Sequence, residues 1–226
     1  MTNTVGTIRT GGTVAVVRGE EELVRRTSHL FAAATDIACA AIDLRTWSAA
    51  RTESGIRAAL CGRDGAEVRL RKVYRPNVLL DPVSAAHLRE IRDTRGAQIR
   101  ITPDEINETI LIDRRVAILA GDPRLGERSF SIVTQPEVVQ GVTSLFDAAW
   151  RSATTVDAYD ARIAELRDIA PQVLDLLGRG VKDEVAARTL GLGVRTYRRR
   201  VAELMEALGA ASRFQAGVRA RELGLV

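Results

Sequence analysis

The chain has 226 residues, 46% hydrophobic and 27% charged, with a formal net charge of +4. That is ordinary globular composition, sufficient for one large domain or two small ones. It offers no uncharged stretch near the ~18 residues of a membrane span and no basic-then-apolar signal pattern in its first 13 residues, so a cytoplasmic protein is expected. Cys39 and Cys61 form no CxxC pair and lie in apolar surroundings, as buried reduced thiols do; no metal or cofactor motif is present.

In chain order, residues 1–12 are Thr- and Gly-rich and read as disordered. Residues 13–18 suit a strand, 20–34 a helix with Leu23, Leu30 and Phe31 toward one side, and 37–42 a short buried strand. A helix is expected over 52–61. Residues 68–74, VRLRKVY, alternate apolar and basic with the period of a half-buried strand, closed by Pro76. A helix over 82–94 follows, with Asp81 as N-cap and Pro82 at its first position. Residues 98–101 suggest a strand. Residues 109–121, TILIDRRVAILAG, read as a hairpin whose Asp113-Arg114-Arg115 turn lacks the Asn-Gly preference. Another strand covers 130–134. A helix over 136–153 turns Val139, Val142, Leu145, Phe146 and Trp150 inward. Residues 13–153 therefore read as an α/β (α+β) domain, a mixed sheet flanked by helices. Residues 154–165 are polar and read as a linker, part of which is open to a helical reading.

After Pro171 every signal is helical. From that residue on there are ten Lys/Arg against six Asp/Glu, leaving 23 of each before it. The whole basic excess thus falls in the tail, which suggests a polyanion partner. Four helices are expected: 171–177, 183–190, 194–208 and 212–223, the last with Ser212 as N-cap. The second packs through Ala186, Ala187 and Leu190 and ends at Gly191; Leu192 plugs the turn, and Gly193 caps the third. The third buries a stripe of Tyr197, Val201, Leu204, Met205 and Leu208. Two short helices across a tight Gly turn form a helix-turn-helix, whose second helix enters the DNA major groove. Val194, Arg195, Arg198, Arg199 and Ala202 are left for the exposed face, with Arg200 turned toward a phosphate or a neighbouring acid. A solvated basic face on a helical bundle has the same spacing, so spacing leaves both readings open.

The tail resembles the C-terminal DNA-binding domain of the LuxR/GerE family over residues 166–226. The pattern runs through Leu176, Leu177 and Gly180; Ala187-Arg188-x-Leu190-Gly191-Leu192; Arg195-Thr196; Val201; Leu208-Gly209; and Ser212-Arg213-x-Gln215-Ala216. The resemblance implies an all-α four-helix helix-turn-helix domain that binds double-stranded DNA, commonly as a homodimer. It implies base or phosphate contacts from Arg198, Arg199 and Ala202, and phosphate contacts near Lys182, Arg195 and Thr196. The chain departs from the family at Lys182, where a small hydroxyl residue is usual and Asp183 is left as a candidate cap. It departs again at Ala186, usually isoleucine, and Tyr197, usually valine; the larger ring is expected to fill the volume that Ala186 leaves.

The head lacks the acidic pair and late lysine of a receiver domain: the chain has two lysines, Lys72 and Lys182. With 4% aromatics it has little to line an acyl-homoserine-lactone pocket, although Trp47 keeps one open. Over roughly residues 65–153, on the strength of 74–101 followed by 108–121, the chain resembles the phospholipase-D-like domain of some TrmB-type and LuxR-type regulators. The HxKx4D site of that family maps through Asp113 onto Ile106 and Glu108, where its histidine and lysine would stand. Neither His29 nor His87 rebuilds the motif, so phosphodiesterase chemistry is expected to be absent. A set of Arg69, Arg71, Lys72, Arg75, Arg114 and Arg115 suggests either an anion-binding patch or a solvated sheet edge.

The expectation is a DNA-binding regulator, a homodimer whose head is a dimerisation domain or a sensor of an unidentified small-molecule ligand, with no membrane partner. The alternative is a catalytically inactive phospholipase-D-like scaffold whose basic tail binds a protein.

Overall fold

The computed structural model describes residues 14–44, 68–122 and 127–226. The expectations for residues 1–12, the helix over 52–61, Trp47 and Cys61 fall outside them. The strands are β1 (Val14–Arg18), β2 (Asp36–Ala41), β3 (Arg69–Tyr74), β4 (Gln98–Ile101), β5 (Thr109–Ile112), β6 (Val116–Ala120), β7 (Ser129–Val133) and β8 (Thr154–Thr155). The helices are α1 (Glu20–Ala33), α2 (Pro82–Arg95), α3 (Pro136–Ser152), α4 (Val156–Gly178), α5 (Asp183–Thr189), α6 (Val194–Leu208) and α7 (Arg213–Glu222), with a 3-10 turn at Pro76–Leu79. The strands form a mixed sheet in the order β1-β7-β6-β5-β2-β3-β4-β8. Two compact units divide the described residues: residues 14–40, 68–71, 107–122 and 127–148, and residues 41–44, 72–106 and 149–226.

In the first unit, β5 and β6 form the expected hairpin, with Ile112 opposite Val116. Asp113 and Arg114 take φ 50° and 55°, and the Arg115 amide donates to the Ile112 carbonyl at 2.9 Å. Positive φ at both central residues is the mirror-image turn that matches strand twist, here built without glycine. Asp113 anchors it: Oδ1 accepts from the Thr35 amide (2.8 Å), the Thr35 hydroxyl (2.9 Å) and the Asp36 amide (2.8 Å). Burial pushes its carboxyl up, but these hydrogen bonds and the charge of Arg115 outweigh burial and hold it below the usual range.

Helix α3 buries Val139, Thr143 and Phe146. Leu145, expected inward, is 69% exposed. Thr143 takes the core position because its hydroxyl donates to the Val139 carbonyl at 2.7 Å, leaving a methyl to pack.

Of the basic set read as either an anion-binding patch or a solvated sheet edge, Arg71 is not at the surface. It is buried, its guanidinium donating to Asp147 at 3.0 Å and Asp36 at 3.1 Å and lying 5.3 Å from the Phe146 ring centroid. A buried guanidinium persists only with such partners. Arg114 pairs with the other oxygen of Asp147.

In the second unit, Asp81 caps α2, accepting from the Val83 and Ser84 amides. The 3-10 turn is buried throughout and packs against α2, α4 and α6. The Nε of Arg167 donates to the Leu79 carbonyl at 2.6 Å. Arg75, a second member of that basic set, reaches the C-terminal end of α6. Gly209 ends that helix at φ 63°, and an added Cβ there would lie 2.5 Å from Arg75 Nη2. The negative end of the helix dipole favours a cation at this place.

Residues 154–165, read from their polarity as a linker, form β8 and the first turns of α4. β8 pairs antiparallel with β4, Arg100 opposite Thr155. Helix α4 continues to Gly178 through Pro171. A proline inside a helix removes one backbone hydrogen bond; the buried Leu166, Ala170, Val173 and Leu174 on either side hold the helix through it.

Candidate nucleic-acid interface

Helix α5 is seven residues long and buries Ala186 and Ala187. Gly191 follows at φ 65°. Its amide donates to the Arg188 carbonyl, and that of Leu192 donates to Ala187 at 2.8 Å. These paired bonds close a helix through a left-handed residue, where a Cβ is unfavourable. Gly193 then caps α6 with extended backbone and no side-chain bond, and its carbonyl accepts from the Tyr197 amide at 2.9 Å.

Helix α6 occupies the span that its apolar stripe predicts. Tyr197, Val201, Leu204, Ala207 and Leu208 are buried; Met205 is half-buried. Tyr197 is fully buried and its hydroxyl has no hydrogen-bond partner among the described residues. Burial raises its pKa.

The opposite face carries Arg195, Arg198, Arg199 and Ala202, all exposed. Their spacing of three, one and three residues keeps them on one side of the helix. Lys182 is exposed one residue before α5, and Thr196 is half-buried. Arg200 is turned away: its side chain is 15% exposed and pairs with Glu165 of α4 and with Glu203 at 3.0 Å. Of the two destinations expected for Arg200, the acid is the one it takes.

The three exposed arginines differ in their restraint. Arg195 has no ion pair among the described residues. Arg199 has Glu203 at 3.7 Å, one turn on. Arg198 is held by α5: its Nε donates to Asp183 Oδ2 at 2.8 Å and its Nη2 to Glu184 Oε1 at 3.3 Å. Arg213 of α7 grips the same carboxylate, Nη1 to Oδ1 at 2.8 Å and Nη2 to Oδ2 at 3.2 Å. Bonds from Arg213, then from Arg198, hold the Asp183 carboxyl below its usual pKa. Asp183 is therefore not the helix cap; Lys182 occupies that position, without a side-chain bond. Asp183 and Arg213 are absent from the expected site. They lie 15 and 30 residues apart along the chain from the groups they meet, beyond any helical spacing.

At the places of the phospholipase-D-like histidine and lysine, Ile106 and Glu108 are half-buried. The Glu108 carboxylate pairs with Arg128. No group of three or more His, Cys, Asp or Glu side chains suited to a metal ion occurs among the described residues, and no helix described is long and apolar enough to cross a membrane.

No protein-family model matches the chain. It is 34% identical over 160 residues to the bialaphos biosynthetic pathway regulatory protein of Streptomyces hygroscopicus, a match covering 70% of this chain and 62% of that protein. The chain thus spans less than two thirds of that relative's length. Among solved structures it resembles NucT from Helicobacter pylori (TM-score 0.51, 7% identity, 64% of this chain and 99% of that one). It also resembles TrmBL2, an archaeal chromatin protein (TM-score 0.48, 17% identity, 65% of this chain and 55% of that one). At 7% identity the likeness to NucT concerns the fold alone.

Proposed function

We propose that this chain is a cytoplasmic transcription regulator of the LuxR/GerE type. It binds double-stranded DNA with α6 in the major groove, as a homodimer on two-fold related half-sites. One observation carries the reading: Arg195, Arg198, Arg199 and Ala202 form an exposed face on the second helix of a tight helical pair. Guanidinium forks suit both phosphate oxygens and the guanine edge. Lys182, one residue before α5, supplies a further cation for a phosphate. The regulatory role of the Streptomyces relative agrees with this assignment.

The head acts as a dimerisation or ligand-sensing unit without phosphodiesterase activity. In the enzymes it resembles, a lysine holds phosphate; Glu108 at that place presents a carboxylate already committed to Arg128. The test is binding of the whole chain to genomic fragments over a range of salt. About six phosphate contacts give a log–log slope near −5. No shift with any fragment at low ionic strength would reject the reading; a single-chain mass in solution and on DNA would reject the dimer.

A further inference from the structure

Arg198 differs from its neighbours in how it is held. An arginine has five N–H groups: one on Nε and two on each Nη. Nε–H and one Nη2–H form the side edge of the fork, and the Nη1 and Nη2 hydrogens form its far end. In this chain the side edge is engaged, by Asp183 through Nε (2.8 Å) and by Glu184 through Nη2 (3.3 Å). The far end carries none of these bonds, and the side chain is 58% exposed. Asp183 is itself fixed: its carboxylate is 13% exposed and bonded through both oxygens by Arg213. A chain of bonds runs from α7 through α5 to the exposed face of α6.

We infer that Asp183, aided by Glu184, is a positioning residue that makes Arg198 the guanine-reading arginine of the helix. The inference rests on the DNA-binding reading above and specifies its target as a site with a G·C pair at the position facing Arg198. Guanine O6 and N7 accept a bidentate pair from the far end of a guanidinium fork. An arginine already ordered through its side edge loses less freedom on making that pair. The two carboxylates also offset its charge, which weakens its attraction for phosphate relative to a base edge of defined geometry. Arg195 and Arg199 lack such a hold and serve phosphates.

The test uses the whole chain and selection from a pool of randomised duplexes, for wild type, Arg198→Ala, Asp183→Asn and Arg195→Ala. Wild type should select a guanine at one half-site position. Arg198→Ala should lose that preference by about fivefold or more. Asp183→Asn should lose part of it, about threefold or more, at the same position and no other, with the salt slope unchanged. A role limited to holding the fold together would weaken every sequence alike and lower thermal stability without this positional signature. Should Asp183→Asn not fold, Glu184→Gln carries the test with a smaller loss at the same position. Wild type that selects a guanine while Asp183→Asn (or Glu184→Gln in its stead) keeps full preference there would overturn the positioning role alone. So would Arg198→Ala that retains the preference. Wild type that binds no duplex would reject the DNA reading itself.

Discussion

Asp113 and Thr35 are 78 residues apart, yet one carboxylate oxygen accepts both the amide and the hydroxyl of Thr35, at 2.8 and 2.9 Å. The hairpin turn is thereby tied to the start of β2. Asp113→Ala should cost about 2 kcal/mol, since two amides and a hydroxyl lose their acceptor. Asp113→Asn keeps an oxygen in place and tolerates positive φ, so it should cost less than about 1 kcal/mol. Because the native carboxyl is held below its unfolded value, its contribution is complete above an unfolded pKa of about 3.9 and fades as pH falls through the lower native value. Denaturant unfolding between pH 2 and 7 should show that acid loss in wild type and a smaller one in Asp113→Asn. Equal losses in both would show that the carboxylate charge contributes nothing there.

Arg114, the next residue, sits at φ 55° without the freedom of glycine. Left-handed backbone costs an ordinary residue roughly 1 kcal/mol or more. Its compensation is an ion pair with Asp147 at 2.9 Å, but the Arg114 side chain is 54% exposed, so the pair contributes at most about 1 kcal/mol. Arg114→Gly should therefore leave thermal stability unchanged or raise it by up to about 1 kcal/mol. A loss above that size would mean the pair with Asp147 outweighs the backbone strain.

Tyr197 buries its whole side chain, including a hydroxyl without a hydrogen-bond partner among the described residues, in a helix pair whose other member contributes Ala186, also fully buried. The ring supplies volume; the hydroxyl adds desolvation cost. Tyr197→Val should cost about 2 kcal/mol through the cavity it leaves. Tyr197→Phe should be neutral or stabilising by up to about 1 kcal/mol, because no bond is lost. Urea unfolding of both variants checks this. Valine as stable as tyrosine would remove the volume argument, and phenylalanine clearly weaker than tyrosine would mean the hydroxyl is satisfied.

Much of the fold was legible because each strong pattern had a local cause. The 3-4 stripe from Tyr197 to Leu208 fixes both the span and the exposed face of α6. Pro82 after Asp81, and Ser212 before α7, mark helix starts that the side-chain caps complete. What was not legible depends on partners distant in sequence. Thr154 and Thr155 are exposed and polar, and become a strand only because β4 offers Arg100 and Ile101 to pair with. Leu145 and Thr143 exchange places because a hydroxyl can bond its own helix. Arg71 reads as one of a basic run in β3, but two acids from other elements draw it inside. The hold on Arg198 was hidden for the same reason: Asp183 at the start of a helix reads as a cap until α7 brings Arg213 to it.

The arginine triplet 198–200 divides by surroundings, and that division separates DNA effects from stability effects. Arg200 is 15% exposed and pairs with Glu165 and Glu203. The hydrogen bond to Glu203 does most to raise its pKa, with burial opposing and the hydrogen bond to Glu165 adding to the rise. Arg200→Ala removes a cation that faces α4, so its effect belongs to the fold. It should lower stability by about 1 kcal/mol and leave the salt slope of DNA binding unchanged. Arg195 has the opposite setting, exposed and without an ion pair among the described residues. Arg195→Ala should leave stability within about 0.5 kcal/mol, weaken all duplexes alike, and reduce the magnitude of the salt slope by about 1. Thermal unfolding and salt titration of the two variants side by side measure both quantities. If Arg200→Ala flattens the slope while Arg195→Ala does not, the face of α6 that meets DNA is the one turned toward Glu165, and the exposed arginines are solvent-facing charges.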